Sequence, residues 1–214
     1  MIPSIDKPSR RYSTRGNRPD GTVITVTATR DRILDALETL LLEKGVSQVT
    51  LENVAAAAGV SKGGLLYHFK SKDALLAGLV RRLGERADQQ LTQAVAQGRS
   101  VAEWYLQSPS TDSDSDALEL ALYRSMMAAM RTVDAHDQRD NEAQRALTAV
   151  MDAWKSGLDT EFDDPVHAEI VRLVGDGVYL RALLGLPPIP PDHYRAVIDR
   201  LLTPDQDHTA PAAN

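Results

Sequence analysis

Hydrophobic residues recur every three or four positions along most of the 214-residue chain, a spacing that predicts amphipathic helices. Glycine, proline or a cluster of polar residues interrupts the pattern at intervals and marks the helix ends. The segment 23–27 alternates like a strand but has no partner strand, so we expect extended backbone there. The chain is therefore predicted to be all-α, with helices at about residues 29–44, 51–58, 62–68, 72–97, 101–107, 116–132, 138–157, 165–184 and 192–202.

The stretch 50–72 contains two short helices joined by a tight turn and followed at once by a third helix. Thr50, Ser61 and Ser71 stand where N-caps are expected, and Gly59 supplies the permissive backbone of the turn. Helix, glycine-containing turn and helix form the pattern typical of a helix-turn-helix, whose second helix enters the major groove of DNA. A helical hairpin inside an ordinary bundle is the alternative. Seven apolar residues are expected to form the core of the three helices: Ile33, Leu37, Leu41, Val54, Val60, Leu65 and Phe69.

The residue types of the second short helix favour DNA binding over a plain hairpin. Around the apolar Leu65 and Phe69 it carries small, basic and hydrogen-bonding residues instead of a Glu/Lys mixture. The cations Lys62, Lys70 and Lys72 bracket the helix, where they could meet phosphates on both sides of a groove.

These residues also carry a resemblance to a known family. Residues 30–79, with RILDALETLLLEKG and VTLENVAAAAGVSKGGLLYHFKSKDALL, resemble the DNA-binding domain of the TetR family of bacterial transcriptional regulators. The resemblance implies a three-helix DNA-binding domain joined by a long helix to a helical ligand-binding and dimerisation bundle. It also implies a homodimeric repressor that a small molecule releases from a palindromic operator.

The resemblance implies specific DNA contacts. Thr50 would meet a phosphate, Lys62 would bond guanine, and Gly63 and Gly64 would bring the backbone close to the bases. The family has tyrosine where this chain has Leu66, so either a phosphate contact is missing or Leu66 touches a thymine methyl. A phosphate contact by Arg30 stands beside the alternative of a free surface arginine. The candidate DNA-binding residues are Arg30, Thr50, Ser61, Lys62, Gly63, Gly64, Leu66, Tyr67, His68 and Lys72.

The charge distribution agrees with DNA binding although the net charge is −6. Residues 1–90 hold 14 Lys and Arg against 10 Asp and Glu, whereas residues 91–214 hold 10 against 20. Because screening acts over about 8 Å at physiological salt, the local sign matters more than the total. There is no cysteine and no apolar run long enough to span a membrane, so a cytoplasmic protein without disulfides is expected.

Composition divides the chain into four parts. Residues 1–28 form either a solvated disordered tail or a basic arm that orders on DNA. Residues 29–72 form the helix-turn-helix domain, 73–203 the ligand-binding and dimerisation domain, and 204–214 a disordered tail.

The middle helices concentrate methionine and aromatic residues. These residues either fill the core or line an apolar ligand pocket between helices. The resemblance favours a pocket for a small apolar or amphipathic ligand. The candidate lining residues are Trp104, Tyr123, Met127, Trp154 and Tyr179.

The last two helices are candidates for a dimer interface because they carry much apolar surface. Gly175 and Gly177 lie within a helix, where each costs about 1 kcal/mol relative to alanine, and close helix packing would offset that cost. The candidate interface residues are Val174, Val178, Tyr194, Val197, Ile198 and Leu201.

No catalytic motif is present, so the chain is not expected to be an enzyme, to use a cofactor or to bind a metal. The groups His136, Asp137 and Asp140, and Asp164 with His167, are too sparse for a metal site. A DNA-binding protein without an inducer and, more remotely, a helical-bundle enzyme remain the alternatives to a ligand-responsive repressor.

Overall fold

A computed structural model of the protein describes residues 21–109, 114–132 and 141–203. These residues form helices joined by short turns, and no strand occurs among them, which confirms the all-α prediction. A single 3₁₀ turn, Val46–Gln48, follows the first helix. The helices are α1 Gly21–Glu43, α2 Leu51–Ala57, α3 Lys62–His68, α4 Lys72–Ala96, α5 Val101–Tyr105, α6 Asp114–Met130, α7 Glu142–Glu161, α8 Pro165–Leu183 and α9 Pro191–Leu202.

The first helix begins at Gly21 instead of about residue 29, so the prediction of extended backbone at 23–27 is wrong. Once residues 29–43 are helical, each further residue adds one hydrogen bond without a new nucleation step. The helical penalty of valine, isoleucine and threonine is only tenths of a kcal/mol per residue, so their alternation does not prevent this extension. The rest of the predicted arm, residues 1–20, lies outside the described residues, as does the tail 204–214.

Each predicted cap of the helix-turn-helix is present. The side chains of Thr50, Ser61 and Ser71 accept the backbone N–H three residues ahead, at 3.0 to 3.1 Å. Gly59 has φ +66°, the left-handed conformation that a side chain would strain. These local interactions define where α2, α3 and α4 begin and where the turn between α2 and α3 lies.

The predicted core of the DNA-binding head is also present. Ile33, Leu37, Leu41, Val54, Leu65 and Phe69 are buried, and Val60 is half-buried at the edge. The same cluster continues through α4 to Leu122 and Met126 of α6 and to Ala146 of α7. The head is therefore packed directly against the larger helical body.

A second cluster joins α5, α7 and α8 through Leu106, Leu158 and Val171, and Ile198 and Leu201 of α9 pack against it. Gly175 allows α8 to lie on α5, because a Cβ there would be 2.4 Å from the ring of Tyr105. The close approach predicted at Gly175 therefore occurs inside the subunit.

Two candidate interface residues on the last helices need correction. Tyr194 is buried and its hydroxyl donates to the carbonyl of Leu106, and Val178 is buried as well. Both are buried within their own chain. Tyr194 is buried because α9 folds back over α5, a tertiary contact that sequence periodicity cannot reveal. Val174, Ile198 and Leu201 are partly buried against the same cluster, whereas Val197 is exposed.

Candidate DNA-binding surface and ligand cavity

The helix α3 presents one polar face to solvent. Leu65 and Phe69 are buried beneath it, as predicted, while Ser61, Lys62 and Gly63 are exposed. Gly64, Leu66 and His68 are half-buried, and Tyr67 is 77% exposed. A large aromatic side chain so open to water is available to a partner. The exposed face at α3 therefore consists of the side chains of Tyr67, Lys62 and Ser61 and the backbone of Gly63.

Lys62 is held by a neighbour on α2. Its ammonium lies 2.5 Å from a carboxylate oxygen of Glu52, and both side chains are more than half exposed. The hydrogen bond from Lys62 lowers the pKa of Glu52. Lys62, the candidate for base contact, therefore forms an ion pair within the chain. It would have to break this ion pair in order to contact DNA.

The side chain of Arg30 contacts another residue of its own chain. Its guanidinium lies 5.2 Å from the centre of the Phe69 ring, at a cation–π distance. Phe69 in turn lies against Gly78 of α4, where a Cβ would be 2.5 Å from the ring. Arg30 thus covers the residue that anchors the end of α3.

Lys72 lies at the start of α4, where it faces the body of the protein. Its ammonium donates to Thr132 Oγ1 at 3.2 Å, just beyond the C-terminus of α6. Burial lowers the pKa of Lys72 below its usual value. The side chain of Thr50 also has a partner within the chain, because it caps α2 by accepting the backbone N–H of Asn53.

A cavity of about 680 Å³ lies between α4, α5, α6, α7 and α8. It falls within the size range of small-molecule sites, about 300–1,000 Å³. The structure brings all five candidate lining residues to its wall: Trp104, Tyr123, Met127, Trp154 and Tyr179.

The cavity wall also contains polar groups that the sequence pattern did not reveal. The Tyr105 hydroxyl donates to Asp176, whose other oxygen accepts from Arg172 at 2.9 Å. The Tyr123 hydroxyl donates to Glu119 at 3.2 Å. Burial, with Tyr179 and Glu119, raises the pKa of Tyr123, so its hydroxyl stays a donor. Only tertiary packing brings Tyr105 of α5 to Asp176 of α8, which lies 71 residues later, whereas the other two pairs are each four residues apart on one helix.

A further signal was present in the sequence. Gln90, Gln93 and Gln97 follow one another at helical spacing on α4, and all three line the cavity. Uncharged amides that continue the apolar stripe of α4 at helical spacing indicate a polar contact there.

The indole N–H of Trp104 is buried and has no acceptor among the described residues. An unpaired buried donor costs about 1–3 kcal/mol. A bound molecule that supplied an acceptor there would remove that cost.

An apolar stripe runs along the outer side of α8. It contains exposed side chains at a repeat of three and four residues. Gly177 lies in its middle, where an added Cβ would have no described atom within 4 Å. Of the candidate interface residues, Val197 of α9 is the exposed one. The stripe consists of Val166, Ile170, Leu173, Leu180 and Leu184, of which Leu180 also lines the cavity.

Within the described ranges, no three His, Cys, Asp or Glu residues are grouped so that they could hold a metal ion. His136, Asp137 and Asp140 lie outside those ranges. None of the described helices is both long and apolar enough to cross a membrane.

Comparison with known proteins covers both parts of the chain. The family model "Bacterial regulatory proteins, tetR family" matches residues 33–79, and "Tetracyclin repressor-like, C-terminal domain" matches residues 99–204. The HTH-type transcriptional regulator AlkX of Mycobacterium tuberculosis is 29% identical over 183 residues, which is 82% of this chain and 83% of AlkX.

Solved structures show the same fold. A TetR-family member from Streptomyces coelicolor superposes with a TM-score of 0.62 at 23% identity, covering 82% of this chain and 98% of that one. The multidrug binding protein EbrR, complexed with ethidium, has a TM-score of 0.54 at 26% identity, with 82% and 99% covered. With a helix-turn-helix that exposes the polar face of α3, the chain belongs to the TetR family of bacterial transcriptional regulators and is a DNA-binding regulator of transcription.

Proposed function

We propose that this protein is a homodimeric repressor that leaves a palindromic operator when a small molecule occupies its cavity. The observation that carries the proposal is the division of α3 into two faces. Leu65 and Phe69 anchor the helix, while Lys62, Gly63 and Tyr67 face outward. A helix held this way can be inserted into a major groove without loss of its core contacts.

The proposed contacts divide between bases and phosphates. Lys62 is assigned to base contact, and Tyr67 and His68 to phosphates. Thr50 and Ser61 lie at helix N-termini, where backbone N–H groups favour a phosphate. Gly63 and Gly64 have no side chains, so the backbone of the first turn of α3 can come close to the bases. Leu66 is half-buried, so only its exposed part can make an apolar contact with DNA.

The remaining two contacts depend on the position of the head. Arg30 and Lys72 contact other parts of the chain here, Phe69 and Thr132 respectively. We assign them to the outer phosphates of the operator, which Lys72 would meet after leaving Thr132.

The dimer proposal rests on the outer stripe of α8 and on the exposed Val197 of α9. Exposed Leu173 and Leu180 flank Gly177, which leaves room for a second helix to approach closely. A two-fold axis through this stripe would place one α3 on each side, as a palindromic operator requires.

The ligand proposal rests on the cavity and on its aromatic wall. EbrR has been solved in complex with malachite green and with ethidium. A ligand shifts the protein away from DNA only if it binds the released state more tightly, and a 100-fold preference corresponds to about 2.7 kcal/mol. The family consists of transcriptional regulators, and we propose no catalytic reaction for this chain. DNA binding sets its site of action in the cytoplasm.

Gel-shift titration with DNA from upstream of the gene tests the DNA part of the proposal. We expect retardation at low salt and its loss in the double variant Lys62→Ala with Tyr67→Ala. Lys155→Ala, which removes one positive charge from α7 in the body, is the matched control and should retain binding. Absence of retardation by the unaltered protein, or equal retardation by the double variant, would refute the proposal.

A further inference from the structure

We propose that the cavity binds an amphipathic organic cation that carries aromatic rings. This inference rests on the proposed ligand-binding function and specifies the chemistry of the ligand. It follows from three features of the wall: its aromatic rings, a carboxylate without a basic partner among the described residues, and the position of the one arginine among the described lining residues.

The aromatic rings form two groups on the wall. Trp104, Tyr105 and Trp154 have their ring centres 5.7 to 6.4 Å apart. Tyr123 and Tyr179 form an edge-to-face pair at 5.9 Å. Five of the ten Phe, Trp and Tyr residues of the chain therefore line this one cavity. Aromatic faces attract cations and stack against flat apolar groups.

Glu119 supplies the negative charge. Its carboxylate accepts the hydroxyl of Tyr123 at 3.2 Å and is half-buried. No lysine or arginine of the described residues forms an ion pair with it. A cation bound in the cavity would lie beside this carboxylate and be attracted to its negative charge.

The other carboxylates of the wall differ from Glu119. Asp176 is paired with Arg172 at 2.9 Å, an arginine that it shares with Glu169, so it has a basic partner. Asp116 is exposed at the start of α6. Glu119 is therefore the carboxylate on which the proposal depends.

An anionic ligand would find little support in the same space. Arg99 is the single basic side chain among the described residues of the wall. Its guanidinium donates to the carbonyl of Glu103 at 3.0 Å and to Gln107 at 3.4 Å. An anion would therefore compete with these bonds and would face Glu119. The balance of charge selects cations.

The cavity is large enough for such a ligand. Its volume of about 680 Å³ lies within the range of sites for drug-sized molecules, about 300–1,000 Å³. Gln90, Gln93 and Gln97 add neutral hydrogen-bonding groups to the wall. The two tryptophans of the chain, Trp104 and Trp154, both line it, so their fluorescence reports occupancy directly.

The test uses two probes of the same shape and opposite charge, tetraphenylphosphonium and tetraphenylborate. Each is titrated into the full-length protein while tryptophan fluorescence is recorded. We expect saturable binding of the phosphonium and at least tenfold weaker binding of the borate, because only the cation is attracted to Glu119. Equal or tighter binding of the borate, or no saturable binding of the phosphonium, would overturn the inference.

A charge variant tests the role of Glu119 itself. Glu119→Gln keeps the size of the side chain and an acceptor for Tyr123, and it should weaken phosphonium binding about tenfold. Asp114→Asn removes the same charge from the same helix outside the wall and should leave the affinity unchanged. Unaltered phosphonium affinity in Glu119→Gln would refute the inference even if the unaltered protein prefers the cation.

The two proposals can fail separately. Operator retardation without any probe tests DNA regulation and does not depend on the ligand. If retardation is present and the borate binds as well as the phosphonium, the regulator stands and the cation inference fails. If the phosphonium binds with the expected selectivity and no retardation occurs, the cation inference stands and the repressor proposal fails.

Discussion

The carboxylate of Asp73 in the first turn of α4 accepts the backbone N–H of Ala143 at 3.1 Å, in the first turn of α7. It also accepts the N–H of Glu142 at 2.5 Å. The first N–H groups of a helix have no partner within the helix, and a carboxylate there also meets the positive end of the helix dipole. The start of α4, directly after the DNA-binding helix, is thereby joined to α7, which carries Trp154 of the cavity wall.

Replacement of Asp73 by alanine should destabilise the protein. The variant leaves two N–H groups of α7 without their acceptor, and we expect a loss of about 1–2 kcal/mol in the free energy of unfolding. Urea denaturation followed by circular dichroism measures it. Glu85→Ala, an exposed position of the same helix, is the control and should change stability little. Equal stability of both variants would show that the Asp73 contact does not support the fold.

Replacement of Gly175 by alanine should disturb the contact between α5 and α8. The added Cβ would be 2.4 Å from the Tyr105 ring and 3.0 Å from its carbonyl oxygen, so the helices must separate. We expect a destabilisation of about 1–3 kcal/mol in thermal or urea unfolding, as is usual for overpacking.

The control for this variant is Gly63→Ala in α3. A Cβ at Gly63 meets only Ser61 Oγ, at 3.9 Å, so the added methyl group is tolerated. Its stability should be unchanged or raised by at most about 1 kcal/mol through helix propensity. Unchanged stability of Gly175→Ala would contradict the close packing of α5 on α8.

Removal of the charge of Glu52 should strengthen DNA binding. Glu52→Gln frees Lys62 from its ion pair and removes a negative charge from the surface that faces phosphates. We expect operator affinity to rise about two- to fivefold at low salt, with a smaller gain as salt increases. Fluorescence anisotropy with labelled operator measures it. Glu85→Gln serves as a charge-matched control on α4, and weaker binding by Glu52→Gln would show that the ion pair positions Lys62 for DNA.

A charge in the outer stripe of α8 should separate the proposed dimer. Leu173 is 57% exposed in one chain and would be buried by a second, so Leu173→Glu would place an unpaired carboxylate in an apolar contact. Light scattering after size exclusion should give the mass of one chain instead of two. Val95→Glu, at an apolar position of α4 that is 48% exposed, should remain dimeric. A single-chain mass for the unaltered protein would refute the dimer proposal.

The local motifs of the head could be predicted from sequence because each depends on residues close together in the chain. Thr50, Ser61 and Ser71 cap their helices through bonds spanning three residues, and Gly59 adopts its turn by its own lack of a side chain. The interior positions of Leu65 and Phe69 followed from helical periodicity alone. The start of α1 was misplaced because alternating β-branched residues have only a weak preference against helix.

What the sequence by itself determined is therefore the helical class, the helix-turn-helix and the aromatic residues available for a cavity. Only the tertiary structure decided that Tyr194 and Val178 are buried within their own chain and that Lys72 contacts Thr132. It also decided that Glu119 meets the aromatic wall without a basic partner among the described residues. The physical reason is range: caps and periodicity act over three or four residues, whereas burial and charge pairing depend on helices far apart in the chain.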